Sequence, residues 1–174
     1  INRELRAIGG KISEEKIDIS RPSLFSWKKV IESKGVSNPY IVSTRQGGYI
    51  SWIKGGKLIL ARFNQRGKIL WSKSIGQCNI YSISTDKRDN AYVAWSSPHG
   101  VFVIKYSSQG RQMWKRKLSN NKATTLELTV SKNFVHVEWE DNRWWIVRLN
   151  VENGRKLWTK RWNKRRSDYL FKLR

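Results

Sequence analysis

The chain has 174 residues, 39% of them hydrophobic and 12% aromatic, with 35 Lys and Arg against 13 Asp and Glu for a formal charge of +22. That length and apolar content suit one domain with a sizeable core, no apolar run is long enough to span a bilayer, and the lone Cys78 excludes an internal disulfide framework and a cysteine zinc site. The charge imbalance costs stability through self-repulsion. An anionic partner would offset it, whether nucleic acid, an acidic membrane surface or an acidic polysaccharide; the plain alternative is a generally basic, soluble surface.

Residues 1–21 are the least regular part. Residues 5–8 and 16–19 read as short strands parted by Gly9-Gly10, and no basic-plus-apolar leader opens the chain. A start at Ile1 fits a trimmed chain, a processed one or a fragment of something larger. Arg21-Pro22-Ser23 then breaks the chain before residues 24–31, which carry Trp27.

From Tyr40 the pattern is regular. Residues 40–43, 49–53, 58–63 and 68–75 are apolar, β-branched or aromatic runs, parted by Arg45-Gln46-Gly47-Gly48, Lys54-Gly55-Gly56 and Asn64-Gln65-Arg66-Gly67. Such a series predicts a four-stranded antiparallel meander. Residues 81–84, 91–95, 101–106 and 111–118 repeat it, and residues 126–130, 134–139, 144–149 and 155–162 repeat it again. No stretch sustains an apolar period near 3.6, so little helix is expected.

The columns hold across these units. Gly67-Lys68-Ile69-Leu70-Trp71-Ser72-Lys73 returns as Gly110-Arg111-Gln112-Met113-Trp114-Lys115-Arg116 and as Gly154-Arg155-Lys156-Leu157-Trp158-Thr159-Lys160, with the tryptophans 43 and then 44 residues apart. Counting back 44 from Trp71 gives Trp27. A second column, Trp52, Trp95 and Trp139, runs 19 residues ahead, and Tyr49, Tyr92 and His136 stand three residues before it. Arg62, Lys105 and Arg148 occupy the third strand of each unit.

Four strands in a repeat of this length are the mark of β-propeller blades, whose exposed faces are covered by their neighbours. The expected fold is all-β: a propeller-like array with blades at about residues 40–75, 80–118 and 125–162. A composite fourth blade is expected from the ends, residues 1–31 and 167–174, because strands fall due there by the same spacing. Closure between the two ends would remove exposed sheet edges. The rivals are an open half-ring that dimerises and a piece of a larger propeller.

Phe63-Asn64-Gln65-Arg66-Gly67-Lys68-Ile69-Leu70-Trp71, Val151-Glu152-Asn153-Gly154-Arg155-Lys156-Leu157-Trp158 and the Thr85-Asp86 to Trp95 stretch carry a family likeness. They resemble the blade motif of quinoprotein-like, tryptophan-docking propellers and bacterial seven-bladed-propeller repeats. The resemblance covers residues 40–162 and implies that Trp71, Trp114 and Trp158 dock between adjacent blades. Those families usually have seven or eight blades, more than this chain supplies. Their quinoprotein enzymes hold the cofactor with calcium and a catalytic acid; no matching acidic site stands here, so neither cofactor nor activity is carried over.

Elsewhere acid–base chemistry is sparse. His99 lies in a turn after Pro98, and His136 takes a column held elsewhere by tyrosine, which suits a side chain packed in the sheet with one polar handle. Asp86, Asp89 and Asn90 have oxygens that suit calcium, but Lys87 and Arg88 stand between them, and a turn bonding its own backbone fits better. No catalytic, cofactor or metal residue is expected, and the chain reads as no enzyme.

The periodic cations are the remaining signal. Lys29, Lys73, Arg116 and Lys160 stand two residues after each repeat tryptophan, and alternation places them on its own face. Lys68, Arg111 and Arg155 stand three before, on the opposite face of the same outermost strand. A four-residue turn would set Arg62 opposite Ile69, diagonal to Trp71, for a cation–π or stem contact. Residues 155–174 are the densest basic stretch, with Lys164-Arg165-Arg166 in a loop before the closing strand.

The expected anion-contacting residues are Lys73, Arg111, Lys115, Arg116, Arg155, Lys160, Arg161, Lys164, Arg165 and Arg166; the expected blade-docking residues are Trp27, Trp52, Trp71, Trp95, Trp114, Trp139 and Trp158. The leading functional expectation is a non-enzymatic scaffold binding RNA or DNA through backbone phosphates. A protein-interaction or assembly module docking an acidic protein or glycan, homo-oligomers included, is the second, and a fragment of a quinoprotein-like enzyme the third. The first would place the chain in the cytoplasm; a processed surface protein would lie outside it.

Overall fold

A computed structural model describes residues 35–162 of the protein. They form β1 (Val36–Thr44), β2 (Gly47–Lys54), β3 (Lys57–Asn64), β4 (Ile69–Gln77), β5 (Ile80–Thr85), β6 (Ala91–Ser97), β7 (Gly100–Tyr106), β8 (Gln112–Ser119), β9 (Thr125–Val130), β10 (Phe134–Glu140), β11 (Trp144–Asn150) and β12 (Lys156–Trp162). The strands make three four-stranded antiparallel sheets, β1-β2-β3-β4, β5-β6-β7-β8 and β9-β10-β11-β12. Among the described residues there is no helix. The all-β expectation holds, as three four-stranded antiparallel sheets consistent with a propeller-like array; Trp27 and the composite blade expected from residues 1–31 and 167–174 lie outside the described residues.

Burial explains why the runs differ in character. The middle sheet is covered on both faces, so every residue of β6 is buried and its sequence reads as a continuous apolar and small run. Edge strand β4 alternates between partly covered and exposed positions, so Ser72, Lys73 and Ser74 are tolerated there. One apolar cluster fills the seam between the first two sheets, with Leu58, Leu60, Val93, Trp95 and Ile104. Another fills the second seam, with Val101, Val103, Val135, Val137 and Trp139. Inner strands β1, β5 and β9 approach one another in succession.

The outer hairpin departs from expectation in register. Arg62 pairs directly with Trp71 and Phe63 with Ile69, so Leu70 is a bulge residue. Lys105 with Trp114 and Arg148 with Trp158 repeat this, leaving Met113 and Leu157 extra. The sequence expectation of Arg62 opposite Ile69 is therefore corrected by two residues: the turn is one longer than four, which sets Phe63 against Ile69, and Leu70 is added in the strand. Leu70, Met113 and Leu157 are thereby turned outward, 49%, 40% and 38% exposed.

The bulge also moves Lys68, Arg111 and Arg155. They precede β4, β8 and β12 and lie in the turns, so they do not form the opposite face of those strands as alternation alone suggested. In each turn the residue before the hairpin bonds across it: Asn64 N–H to Lys68 O, Ser107 N–H to Arg111 O, and Asn150 N–H to Arg155 O.

Candidate anion-binding surface

The two columns of tryptophan face opposite ways. Trp95 and Trp139 lie in the seam toward the preceding sheet, where Trp95 stacks on Phe102 at 5.2 Å and Trp139 on Trp145 at 6.0 Å. Trp71 and Trp114 reach forward. The Trp71 indole N–H donates to Ser108 O at 2.9 Å, and that of Trp114 to Val151 O at 3.2 Å. Beneath each ring lies a glycine of the next outer hairpin, Gly110 under Trp71 and Gly154 under Trp114. Trp52, 8% exposed, and Trp139, 2% exposed, are buried with indole N–H groups that find no acceptor among the described residues.

Each sheet carries a ladder across its outer three strands: Tyr49–Arg62–Trp71, Tyr92–Lys105–Trp114 and His136–Arg148–Trp158. Arg62 and Lys105 are each 2% exposed, so they are buried structural cations. The Arg62 guanidinium donates to Tyr49 Oη at 2.8 Å and to Asp89 O at 3.1 Å, and pairs with the Asp89 carboxylate at 3.3 Å. Lys105 Nζ donates to Val151 O at 3.0 Å. Their ring contacts are to Tyr49 and Tyr92, at 5.2 and 5.0 Å. The expected contact with the repeat tryptophan occurs in the third sheet alone, where Arg148 lies 4.9 Å from the Trp158 ring. In the first two sheets the tryptophan has moved onto the next hairpin, and the cation fills the space behind it.

Burial pushes the Lys105 ammonium below its ordinary range, despite Glu152 and Asp86 nearby. Burial, and then the charge of Arg148, lowers the His136 imidazole, whose Nε2 accepts from Arg148 Nε at 2.8 Å. Burial pushes Asp86 up, but hydrogen bonds from Asn90, Tyr92 and Arg88 outweigh it and hold its carboxyl below the ordinary carboxylate range. Asp86 thus organises the β5–β6 turn, as expected for a turn that bonds its own backbone. Asp89 points away, to Arg62 of the preceding sheet. Among the described residues no group of His, Cys, Asp and Glu has the makings of a metal site. Cys78 is buried, which pushes its thiol up to about 12.

The expected anion contacts fall into four settings, the last of them a groove. Lys73 is half-buried with its ammonium 5.9 Å from the Tyr106 ring, and Lys115 lies over Trp95 and Phe102 at 5.1 and 5.5 Å. Lys160 lies over Trp158 at 5.6 Å and Arg161 over Trp145 at 5.8 Å. Arg111 is exposed in its turn. Lys164, Arg165 and Arg166 lie outside the described residues.

Arg116 and Arg155 are brought together. They share a groove of about 560 Å³ between the outer strands of the second and third sheets with Lys117, Leu118, Leu149, Asn153, Gly154 and Lys156. Arg116 spans the seam, donating through Nε to Gly154 O at 3.1 Å and through Nη2 to Asn153 O at 2.7 Å, while Nη1 donates to Lys115 O at 2.8 Å. These bonds engage three of its five N–H groups. Arg155 and Lys156 are exposed on the opposing lip. Lys117 lines the groove, but its ammonium sits 5.5 Å from the Phe102 ring.

Among the described residues no carboxylate lines this groove; Glu152, in the same hairpin, pairs with Arg88 at 3.8 Å. The corresponding positions of the first seam hold Lys73, Ser74, Gln112 and Arg111, so the second seam is the more cationic. Sequence reasoning misses Lys156 and Lys117. A signal exists for Lys156: it takes the place of Gln112 and Ile69 beside the bulge.

No family model matches the chain, and no curated protein matches it. Among solved structures it is similar to a protein of unknown function from Bacteroides caccae, at 18% identity and a TM-score of 0.48 over 77% of this chain. The chain spans about half of that protein, 48% of its length.

Proposed function

We propose that this chain is a non-enzymatic, β-propeller-type scaffold that binds nucleic acid through its backbone phosphates. The observation that carries this reading is the groove holding Arg116, Arg155 and Lys156, with no carboxylate among its described lining residues, on a chain of formal charge +22. Phosphate contact is favoured because cations pre-set by backbone carbonyls, as Arg116 is, lose little freedom on binding. Base stacking is not favoured: Trp95, Trp145 and Trp158 already lie under Lys115, Arg161 and Lys160. We read the blades as the tryptophan-docking kind, on the strength of Trp71 over Gly110 and Trp114 over Gly154.

Binding of a mixed-sequence RNA and a DNA of equal length, titrated against salt, tests this. Log affinity should fall linearly with log salt and depend little on sequence. A flat salt response, or no binding at low salt, would remove the reading. A second reading, a protein-docking module, is favoured by the outward column Leu70, Met113 and Leu157. Protein partners retained after nuclease treatment of a pull-down would support it over the first.

A further inference from the structure

Antiparallel strands in sequence order place the first and third turns of each sheet at one end and its second turn at the other. Contacts between sheets keep like ends together. The Trp71 indole reaches Ser108 and the Trp114 indole reaches Val151, each in the third turn of the next sheet. Thr44 Oγ1 donates to Asp89 Oδ2 at 3.2 Å, and Arg88 pairs with Glu152 at 3.8 Å, which ties the β5–β6 turn to the same end. Among the described residues, the six turns of this end hold eight Lys and Arg, and all eight are exposed. The connections of the opposite end hold two, Lys122 and Arg143. The carboxylates of the cationic end are engaged: Asp86 accepts within its own turn, Asp89 holds Arg62, and Glu152 holds Arg88.

Within this end the third turns form a row. Arg66 and Lys68, then Arg111, then Arg155 with Lys156 follow one another across the three sheets. The same backbone bond sets Lys68, Arg111 and Arg155, so the row repeats with the sheets. Its last members line the groove beside Arg116. None of the six turns carries Phe, Tyr or Trp; Ser, Asn and Gln stand beside the cations instead. A single strand is held largely by stacking its bases on aromatic rings, and these turns offer none. A duplex turns its phosphates outward and its bases inward, so cations and small polar groups suffice to hold it.

We infer that this row is a docking surface for duplex nucleic acid, met through the phosphates of its backbone. The inference rests on the phosphate-binding reading above and extends it from one groove to consecutive sheets. Arg66→Gln, Lys68→Gln and Arg111→Gln together test it without touching the groove, since none of the three lines it. All three are exposed, and the bonds that set their turns are made by backbone groups. Lys57→Gln, Lys122→Gln and Arg143→Gln, also exposed but at the opposite end, form the charge-matched control.

Mixed-sequence DNA and RNA duplexes, and one separated strand of each, are titrated against salt. The unmodified chain should bind duplex more tightly than the separated strand. The row variant should lose about tenfold or more in duplex affinity and about three in salt slope, while the control stays near the unmodified chain. A loss in the control as large as in the row variant, or no loss in the row variant, would overturn the row. A separated strand bound as tightly as its duplex would overturn the duplex assignment. Failure of the unmodified chain to bind any of the four at low salt would instead remove the nucleic-acid reading as a whole, and this inference with it.

Discussion

Gly154 lies directly beneath the indole of Trp114, where a β-carbon would come within 2.6 Å of the ring. At Gly110 the same construction meets Trp71 at 3.0 Å. Both glycines have positive φ, +67° and +81°, which adds backbone strain to any side chain placed there. Gly154→Ala should therefore destabilise by about 2–4 kcal/mol, the sum of overpacking and left-handed strain. Gly110→Ala should cost less. Denaturant unfolding at high salt reads both, and equal or negligible losses would show that the rings do not need the seats.

Removing the partner of one buried cation and removing the other cation itself should have very different costs. Asp89→Ala leaves Arg62 buried without its carboxylate, a loss of about 3–5 kcal/mol. Lys105→Met removes a desolvated ammonium whose acceptor, Val151 O, keeps the Trp114 indole N–H. Its stability should change by less than about 1 kcal/mol or rise. A larger loss at Lys105→Met than at Asp89→Ala would reverse this ranking.

Acid should weaken the fold in two stages. The His136 imidazole is held below its free value, so the folded state binds the proton less readily than the unfolded chain. Its contribution is complete above pH of about 6.5 and is lost as pH falls through the lowered folded value. Asp86, also lowered, adds a second loss below the ordinary carboxylate range. Melting temperature measured from pH 8 to pH 3 should fall across both windows. His136→Tyr, which restores the residue of the other sheets, should flatten the first and leave the second.

Groove cations should matter more than scattered ones. Arg155→Ser with Lys156→Ser should lower nucleic-acid affinity and reduce the salt slope by about two, one for each phosphate no longer neutralised. Lys57→Ser with Lys132→Ser, both exposed and neither lining the groove, is the charge-matched control. Replacing Lys164, Arg165 and Arg166 together should weaken binding more than replacing three scattered lysines.

The strand layout was legible because glycine turns and alternating runs are local signals. The bulge at Leu70 was not, since counting residues between Arg62 and Trp71 cannot tell a longer turn from an extra strand residue. Burial of Arg62 was hidden for another reason: its partner Asp89 stands in a different sheet and is spaced by a turn that varies between repeats. Of the groove, Arg116 and Arg155 were visible as periodic cations. Their meeting, and the addition of Lys156, depend on how two sheets face each other across a seam.

A joint made from one indole ring and one absent β-carbon travels with the segment that encodes it. Duplicating a whole sheet, as residues 80–124 would do, copies both halves of the joint in phase, so such an array can lengthen or shorten in complete modules without new chemistry. A turn can absorb a residue without loss of the joint, since Gly110 stands 39 residues after Trp71 and Gly154 stands 40 after Trp114. Selection on the number of sheets should therefore act in whole-module steps, while the length of each turn stays free to drift.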